Sequence, residues 1–148
     1  MSQSYTSLLY HLVFATKDRR PIITPEMRPR LYDYLGGTIR QMGGASLAIN
    51  GMGDHTHLLV RLTPDAALAD IMSDLKVNSS KWVNESLRQN FAWQGGYAAF
   101  TVSESQADRV RCYIYDQEAH HRQASVEKEL TSLLRAHGVD FDPACLWK

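Results

Sequence analysis

Two short stretches of the chain hold residue types that could do chemistry together. The first is Asp54-His55-Thr56-His57-Leu58-Leu59-Val60. Side chains alternate along a strand, so residues two apart point to the same face. On a strand, His55 and His57 project together and their imidazoles can share one metal ion, while Thr56 points the other way. Two histidines leave several coordination positions open, which suits a catalytic metal better than a structural one. The second stretch is Val110-Arg111-Cys112-Tyr113-Ile114-Tyr115-Asp116-Gln117-Glu118-Ala119-His120-His121. Residues four apart on a helix share a face, so Tyr113 and Gln117 stand one turn apart on one side. There a phenol able to attack a phosphate sits beside an amide oxygen able to ligate a metal. Tyr115 lies roughly 200° around from Tyr113 and is read as packing or surface. His120 and His121 read as a solvated helix end, where cations suit the dipole, with one of them in reach of a metal or phosphate. Each stretch alone has a plain alternative: surface or core histidines, and a half-buried helix tyrosine.

The elements that must position these residues alternate between strand and helix. Tyr5 to Thr16 is rich in β-branched and aromatic residues and reads as a strand. Thr24-Pro25 reads as a helix start, and Leu31, Tyr34, Leu35 and Ile39 keep helical spacing up to the stop at Gly43-Gly44. Ala45 to Asn50 and His55 to Leu62 read as two strands joined by the turn Asn50-Gly51-Met52-Gly53-Asp54. The histidine pair then opens an apolar strand where a sheet edge meets solvent. Residues 67 to about 85 form a helix with Leu68, Ile71, Met72, Leu75 and Trp82 on its apolar stripe. Tyr97 to Val102 is a short strand. Ser103 with Gln106 forms a capping box for a helix to about His121, and a last helix covers Ser125 to His137. The order is that of an α+β, ferredoxin-like split βαβ sandwich: an antiparallel sheet with helices on one face, plus a C-terminal tyrosine-bearing helix.

Bulk properties bound the answer. The 148 residues suit a single domain spanning 1–148, and 44% hydrophobic with 22% charged residues is an ordinary globular profile. Apolar runs are too short and interrupted to span a bilayer, and Met1-Ser2-Gln3-Ser4 has no signal pattern. Cys112 and Cys145 lack metal spacing and read as reduced thiols of a cytoplasmic protein. Net charge is zero, which counts against a large nonspecific nucleic-acid binder. A local basic groove is still open to it, since residues 1–40 hold six basic side chains against three acidic ones.

Together the two stretches resemble the HUH single-tyrosine transposases of the insertion-sequence-200-like kind, including their repeat-palindrome-associated relatives. The resemblance spans nearly the whole chain. It rests on Tyr10-His11-Leu12-Val13-Phe14-Ala15-Thr16-Lys17 with Arg19-Arg20, and on Gly53-Asp54-His55-Thr56-His57-Leu58-Leu59-Val60. It continues through Leu75-Lys76, Ser79-Ser80-Lys81-Trp82, Phe91 to Tyr97 and Phe100 to Ser103, and ends on Tyr113-Ile114, Gln117, His120 and His121. The resemblance implies that His55, His57 and Gln117 hold a divalent metal, Mg²⁺ or Mn²⁺, and that Tyr113 is the nucleophile. It implies cleavage and rejoining of single-stranded DNA through a 5′-phosphotyrosine, recognition of hairpins at element ends, and a homodimer with the tyrosine helix acting in trans. Two departures stand out. Thr56 replaces a bulky apolar residue, and Gly53 replaces a frequent proline, which is expected to loosen the turn.

Lys17, Arg19, Arg20, Lys76 and Lys81 are candidates for phosphate contacts, and Trp82 or Trp93 for base stacking. Three other readings share parts of this pattern. A domesticated relative would bind palindromic DNA without mobilising it. A noncatalytic nucleic-acid binder on a ferredoxin-like sheet would need neither Tyr113 nor metal. A metal-dependent hydrolase would use water as nucleophile and leave no covalent adduct.

Overall fold

A computed structural model describes residues 3–121 and 124–146. The chain forms β1 (Leu9–Ala15), α1 (Arg28–Gln41), β2 (Ala45–Met52), β3 (His55–Arg61), α2 (Leu68–Ser86), β4 (Ala98–Val102), α3 (Ala107–Tyr115), α4 (Gln117–His121) and α5 (Val126–Ala136). The four strands make one antiparallel sheet in the order β2-β3-β1-β4. That order, with βαββαβ connectivity, is the ferredoxin-like split βαβ sandwich.

The two sheet faces have different covers. Leu12 and Phe14 of β1 and Leu58 and Val60 of β3 pack against Leu31, Leu35 and Ile39 of α1 and Ile71, Met72 and Leu75 of α2. This is the main apolar core. The alternate residues of the same strands face the other way. Val13, Ala98 and Phe100 pack against Leu130 and Leu134 of α5, and Ala48 and Leu59 pack against Ile114 of α3. His55 and His57 belong to this second face, and α3, α4 and α5 roof it.

Several element ends differ from the sequence reading. β1 begins at Leu9, and Tyr5 lies exposed ahead of it. Thr24 does cap, accepting from the Met27 amide at 3.3 Å, but regular helix starts only at Arg28. The segment read as a turn from Asn50 pairs as strand through Met52, opposite His57, Thr56 and His55. Gly51 permits this, because a Cβ there would sit 2.2 Å from the His55 carbonyl oxygen. Ser103 makes no side-chain cap, and a 3-10 turn (Glu104–Gln106) precedes α3 instead. The tyrosine helix breaks at Asp116, which separates α3 from α4. Ser125 caps α5 by accepting from the Lys128 amide. No helix among the described residues is long and apolar enough to cross a membrane.

Candidate metal centre and tyrosine

The β2–β3 hairpin holds the histidine pair by more than its ladder. The Ile23 amide donates to the Gly53 carbonyl at 2.9 Å, and the Thr16 amide donates to the Asp54 carbonyl at 2.9 Å. Gly53 therefore does not leave the turn loose as expected: the preceding segment clamps it from outside. Thr56 points to the α1/α2 core, is fully buried, and its hydroxyl finds no hydrogen-bond partner. A buried unpaired hydroxyl costs on the order of 1 kcal/mol or more. Thr56→Val should therefore stabilise the protein by about 1 kcal/mol, or roughly 2–4 °C in Tm. Thermal unfolding followed by circular dichroism measures this, and an unchanged or lower Tm would mean that the hydroxyl is satisfied in solution.

His55 and His57 do project together, but not at a solvent-facing edge. β3 is an interior strand and both residues are fully buried beneath the α3–α5 roof. His55 Nδ1 donates to Asp54 Oδ1 at 2.7 Å, which points Nε2 at Gln117 Oε1, 3.1 Å away. Gln117 is fully buried one turn after Tyr113, and its amide nitrogen donates to the Tyr113 carbonyl. The His57 ring stands 5.8 Å from the Tyr113 ring, centroid to centroid. The four residues singled out by spacing are thus brought to one cluster within a single chain. Tyr115 is exposed on the other side of α3, as its angular position requires.

Three further side chains complete the cluster. Glu129 of α5, 8% exposed, places Oε1 2.6 Å from His57 Nε2 and 3.5 Å from His55 Nε2. His121 is not a solvated helix end: its Nε2 lies 3.1 Å from Gln117 Oε1 and 3.4 Å from Glu129 Oε2. The break at Asp116 turns α4 back over the sheet and carries His121 inward. His120 packs its ring against Tyr113, 4.6 Å between centroids. Behind the pair, buried His11 of β1 sets Nε2 2.8 Å from His57 Nδ1.

The electrostatics follow from this crowding. Burial disfavours charge on His55, yet the Asp54 and Glu129 carboxylates outweigh it and raise the imidazole to about 9. Burial holds His57 below its ordinary value, helped by the charges of His55 and His121 against the pull of Glu129. Burial beside His57 drops His11 to about 3, so His11 is neutral and acts as a hydrogen-bonding partner. Burial works against ionisation of Glu129, but His121, His55 and His57 hold it well below the usual carboxylate range. Burial and then the Glu129 carboxylate push the Tyr113 phenol well above its ordinary value.

The donor set fits a divalent cation. One donor atom each from His55, His121 and Glu129 lies within 4.8 Å of the others. Neighbouring donors around an ion with roughly 2.1 Å bonds stand about 3 Å apart, and the separations above lie near that value. The Asp54–His55 contact is the carboxylate–histidine pair that fixes a ligand's tautomer and frees the other nitrogen for metal.

Of the remaining candidates, Arg19 reaches Glu127 of α5 and lines a cleft of about 750 Å³ beside the cluster, together with Asp18, Asp54, His121 and Ser125. Lys17 and Arg20 flank it and are exposed. Lys76 and Lys81 sit on α2, across the sheet. The Lys76 ammonium donates to the carbonyls of Gln94 and Gly96, so it braces that loop. Trp93 cannot stack on a base: it is buried against Phe14 and Phe91, and its indole N–H donates to Ser79 Oγ at 2.8 Å. Trp82 stacks on Tyr34 with Arg30 nearby.

Glu129 and His11 were not singled out in the sequence. The signal for Glu129 was present: it falls on the Val126–Leu130–Leu134 stripe of α5, where a lone carboxylate needs a buried partner. His11 sits two residues before Val13 on the strand beside β3, so it shares the histidine face.

Comparison with known proteins agrees with this geometry. The family described as "Transposase IS200 like" matches residues 4–117. The chain is 31% identical over 117 residues to the ISDra2 transposase TnpA of Deinococcus radiodurans, covering 74% of this chain and 84% of that one. It is 29% identical over 115 residues to the IS200 transposase of Salmonella typhimurium, covering 73% and 75%. A crystal structure from D. radiodurans R1, assigned as a transposase, superposes with a TM-score of 0.63 at 30% identity, over 79% of this chain and 96% of that one. A REP-associated tyrosine transposase bound to a REP hairpin superposes with a TM-score of 0.62 over 82% and 73%; at 14% identity that likeness is one of fold. With the match running from the N-terminal strand to Gln117 itself, this chain belongs to the IS200-like transposase family.

Proposed function

We propose that this transposase, acting as one domain over residues 1–148, cuts and rejoins single-stranded DNA with Tyr113 as the nucleophile. The observation that carries this reading is the convergence of half-buried Tyr113 with buried His55, His57 and Gln117 in one cluster, whose neighbours Asp54 and His121 line an open cleft. His55, His57 and Gln117 would hold a divalent ion, Mg²⁺ or Mn²⁺, and the ion would supply Lewis-acid polarisation of the scissile phosphate.

The chain's own residues do the rest. The cleft admits the strand, with Arg19 and the exposed Lys17 and Arg20 as phosphate contacts. Lys81 lies on the far face and would meet only DNA that wraps the sheet. The Tyr113 oxygen attacks phosphorus in line, the bond from phosphorus to the 3′ oxygen breaks, and the 3′ oxygen leaves as a hydroxyl. The phosphotyrosine ester keeps the phosphodiester's energy, so an incoming 3′-hydroxyl displaces Tyr113 and reseals the strand. The phenol is protonated at neutral pH in the metal-free site, because burial and Glu129 oppose its ionisation. Ionisation of the phenol would be favoured once the charge of Glu129 is neutralised. His120, against the Tyr113 ring, limits the directions the phenol can take.

Hairpin recognition and a homodimer are part of this reading. In that homodimer the tyrosine helix of one protomer would complete the metal site of its partner, using the contacts that Tyr113 and Gln117 make with the histidine pair within the single chain. The reading is tested by incubating the protein with single-stranded hairpin DNA and Mn²⁺, then resolving the products on a denaturing gel. A covalent protein–DNA band is expected. A free 5′-phosphate with no adduct would favour water as nucleophile, and binding without cleavage would favour the noncatalytic readings.

Metal binding should depend on pH in a defined sense. Metal-free His55 titrates at about 9, so near pH 7 its Nε2 carries a proton that an ion must displace. Mn²⁺ affinity is expected to rise from about pH 6.5 to about pH 9, with release of about one proton per ion. Calorimetric titration in buffers of different ionisation enthalpy reads that proton directly; zero release at pH 7 would overturn the assignment. The linked effect on folding has the opposite slope. A folded pKa above the unfolded value stabilises the metal-free protein below about pH 6.5, and this contribution is lost as pH rises through about 9.

A further inference from the structure

We propose that Glu129 is itself a metal ligand, so that α5, which lies beyond the family-matched residues 4–117, completes the metal centre. The proposal rests on the reading that the histidine cluster holds a divalent ion.

Glu129 is placed where a ligand must be. Its carboxylate enters the face of the sheet that carries the histidines, and Oε1 lies between the two nitrogens aimed at the centre, 2.6 Å from His57 Nε2 and 3.5 Å from His55 Nε2. Its second oxygen is buried and makes no hydrogen bond, although His121 Nε2 stands 3.4 Å away. A carboxylate this enclosed must be paired or coordinate a metal. In the metal-free chain the histidines pair it, and an ion that displaces the proton of His55 would take over that role and use the open lone pairs of Oε2.

The position of Glu129 is fixed by packing rather than by chance rotamers. Val126, Leu130 and Leu134 bury the apolar stripe of α5, Ser125 caps its first turn, and Glu127 ties its outer side to Arg19. With α5 so held, the Glu129 carboxylate stays buried on the histidine face.

A carboxylate also changes which ion the site prefers. Two imidazoles and one amide oxygen form a nitrogen-rich set that favours zinc or copper. Adding a charged oxygen donor gives a harder, more tightly binding site suited to Mg²⁺ or Mn²⁺.

The test is Mn²⁺ titration of the full chain by calorimetry, with wild type, Glu129→Gln, Glu129→Ala and His57→Ala compared. Co²⁺ absorption spectra are recorded at saturation. Glu129→Gln keeps the shape and hydrogen-bonding capacity of the side chain and decides the matter if Glu129→Ala does not fold. The expected result is a loss of Mn²⁺ affinity of about 10- to 100-fold or more in Glu129→Gln, with altered Co²⁺ ligand-field bands. Affinity equal to or tighter than wild type would overturn the proposal and make Glu129 a plug that metal must displace. Weakened affinity with unchanged bands would also overturn it, since the carboxylate would then act only through its charge. If wild type binds no Mn²⁺, the metal reading itself falls. If His57→Ala loses the ion while Glu129→Gln keeps it, only the present proposal does.

Discussion

Tyr113→Phe is expected to abolish the covalent protein–DNA band and to lower strand cleavage by more than about 1,000-fold, as removal of a nucleophile does elsewhere. The substitution deletes one oxygen and keeps the ring. That ring packs against His120 at 4.6 Å, His57 at 5.8 Å and His11 at 6.0 Å between centroids, and phenylalanine preserves all three contacts. The protein should therefore fold and bind Mn²⁺ as before, so loss of activity reports chemistry rather than collapse. Tyr115→Phe is the matched control, because Tyr115 is exposed on the opposite side of α3. An adduct surviving in Tyr113→Phe would remove Tyr113 from the mechanism. Mixing Tyr113→Phe with His57→Ala asks which chain supplies the nucleophile. With the tyrosine helix acting in trans, one composite site joins the intact His57 of one protomer to the intact Tyr113 of the other, and adduct formation is expected. Absence of an adduct in the mixture would show that Tyr113 serves its own histidines and would overturn the trans arrangement that the resemblance implies.

The parts of this site that are legible in the sequence depend on local geometry. Period two on a strand puts His55 and His57 together, and a four-residue step on a helix puts Gln117 beside Tyr113. Both survive in the structure because neither depends on how distant elements pack. The order of strands and helices is legible for the same reason, since apolar periodicity is a local signal. What fails is what tertiary packing decides. Nothing near His121 in sequence shows that the helix breaks at Asp116 and folds inward, so a helix-end histidine reads as solvated. His55 and His57 read as edge residues because the roof over them comes from residues more than fifty positions later. Trp93 looks available for stacking until the loop after α2 is seen to bury it against Phe14. Lys76 looks free until its ammonium is found on two carbonyls of that same loop. Glu129 lies between these cases. Its presence on an apolar stripe is visible, but its partners are on β3 and α4, and no periodicity in α5 names them.

His57→Ala should eliminate metal binding and weaken the fold at the same time, and the two effects can be separated. His57 is fully buried and joins two elements: Nε2 meets Glu129 at 2.6 Å and Nδ1 meets His11 at 2.8 Å. Its removal leaves a cavity and strips one partner from each of two buried polar groups, at a cost of about 1–3 kcal/mol for each. A fall in stability of roughly 2–5 kcal/mol follows, read as a lower melting temperature. The effect on metal should be larger in relative terms. Loss of an outer hydrogen-bond partner to a metal ligand costs about 10- to 100-fold in affinity, so loss of a ligand should exceed that range. His57→Gln separates the two effects. It restores most of the volume and a hydrogen-bonding group, recovering stability, but it cannot reproduce the imidazole nitrogen aimed at the centre. In the metal-free chain neutral His57 donates through Nε2 to Glu129 and accepts from His11 at Nδ1; ligation through Nε2 requires the other tautomer, with Nδ1–H donated back to His11. A folded His57→Gln protein that titrates with Mn²⁺ as wild type does, with unchanged Co²⁺ bands that exclude an amide oxygen in place of the imidazole, would take His57 out of the ligand set and leave the centre to His55, Gln117 and the residues of α4 and α5.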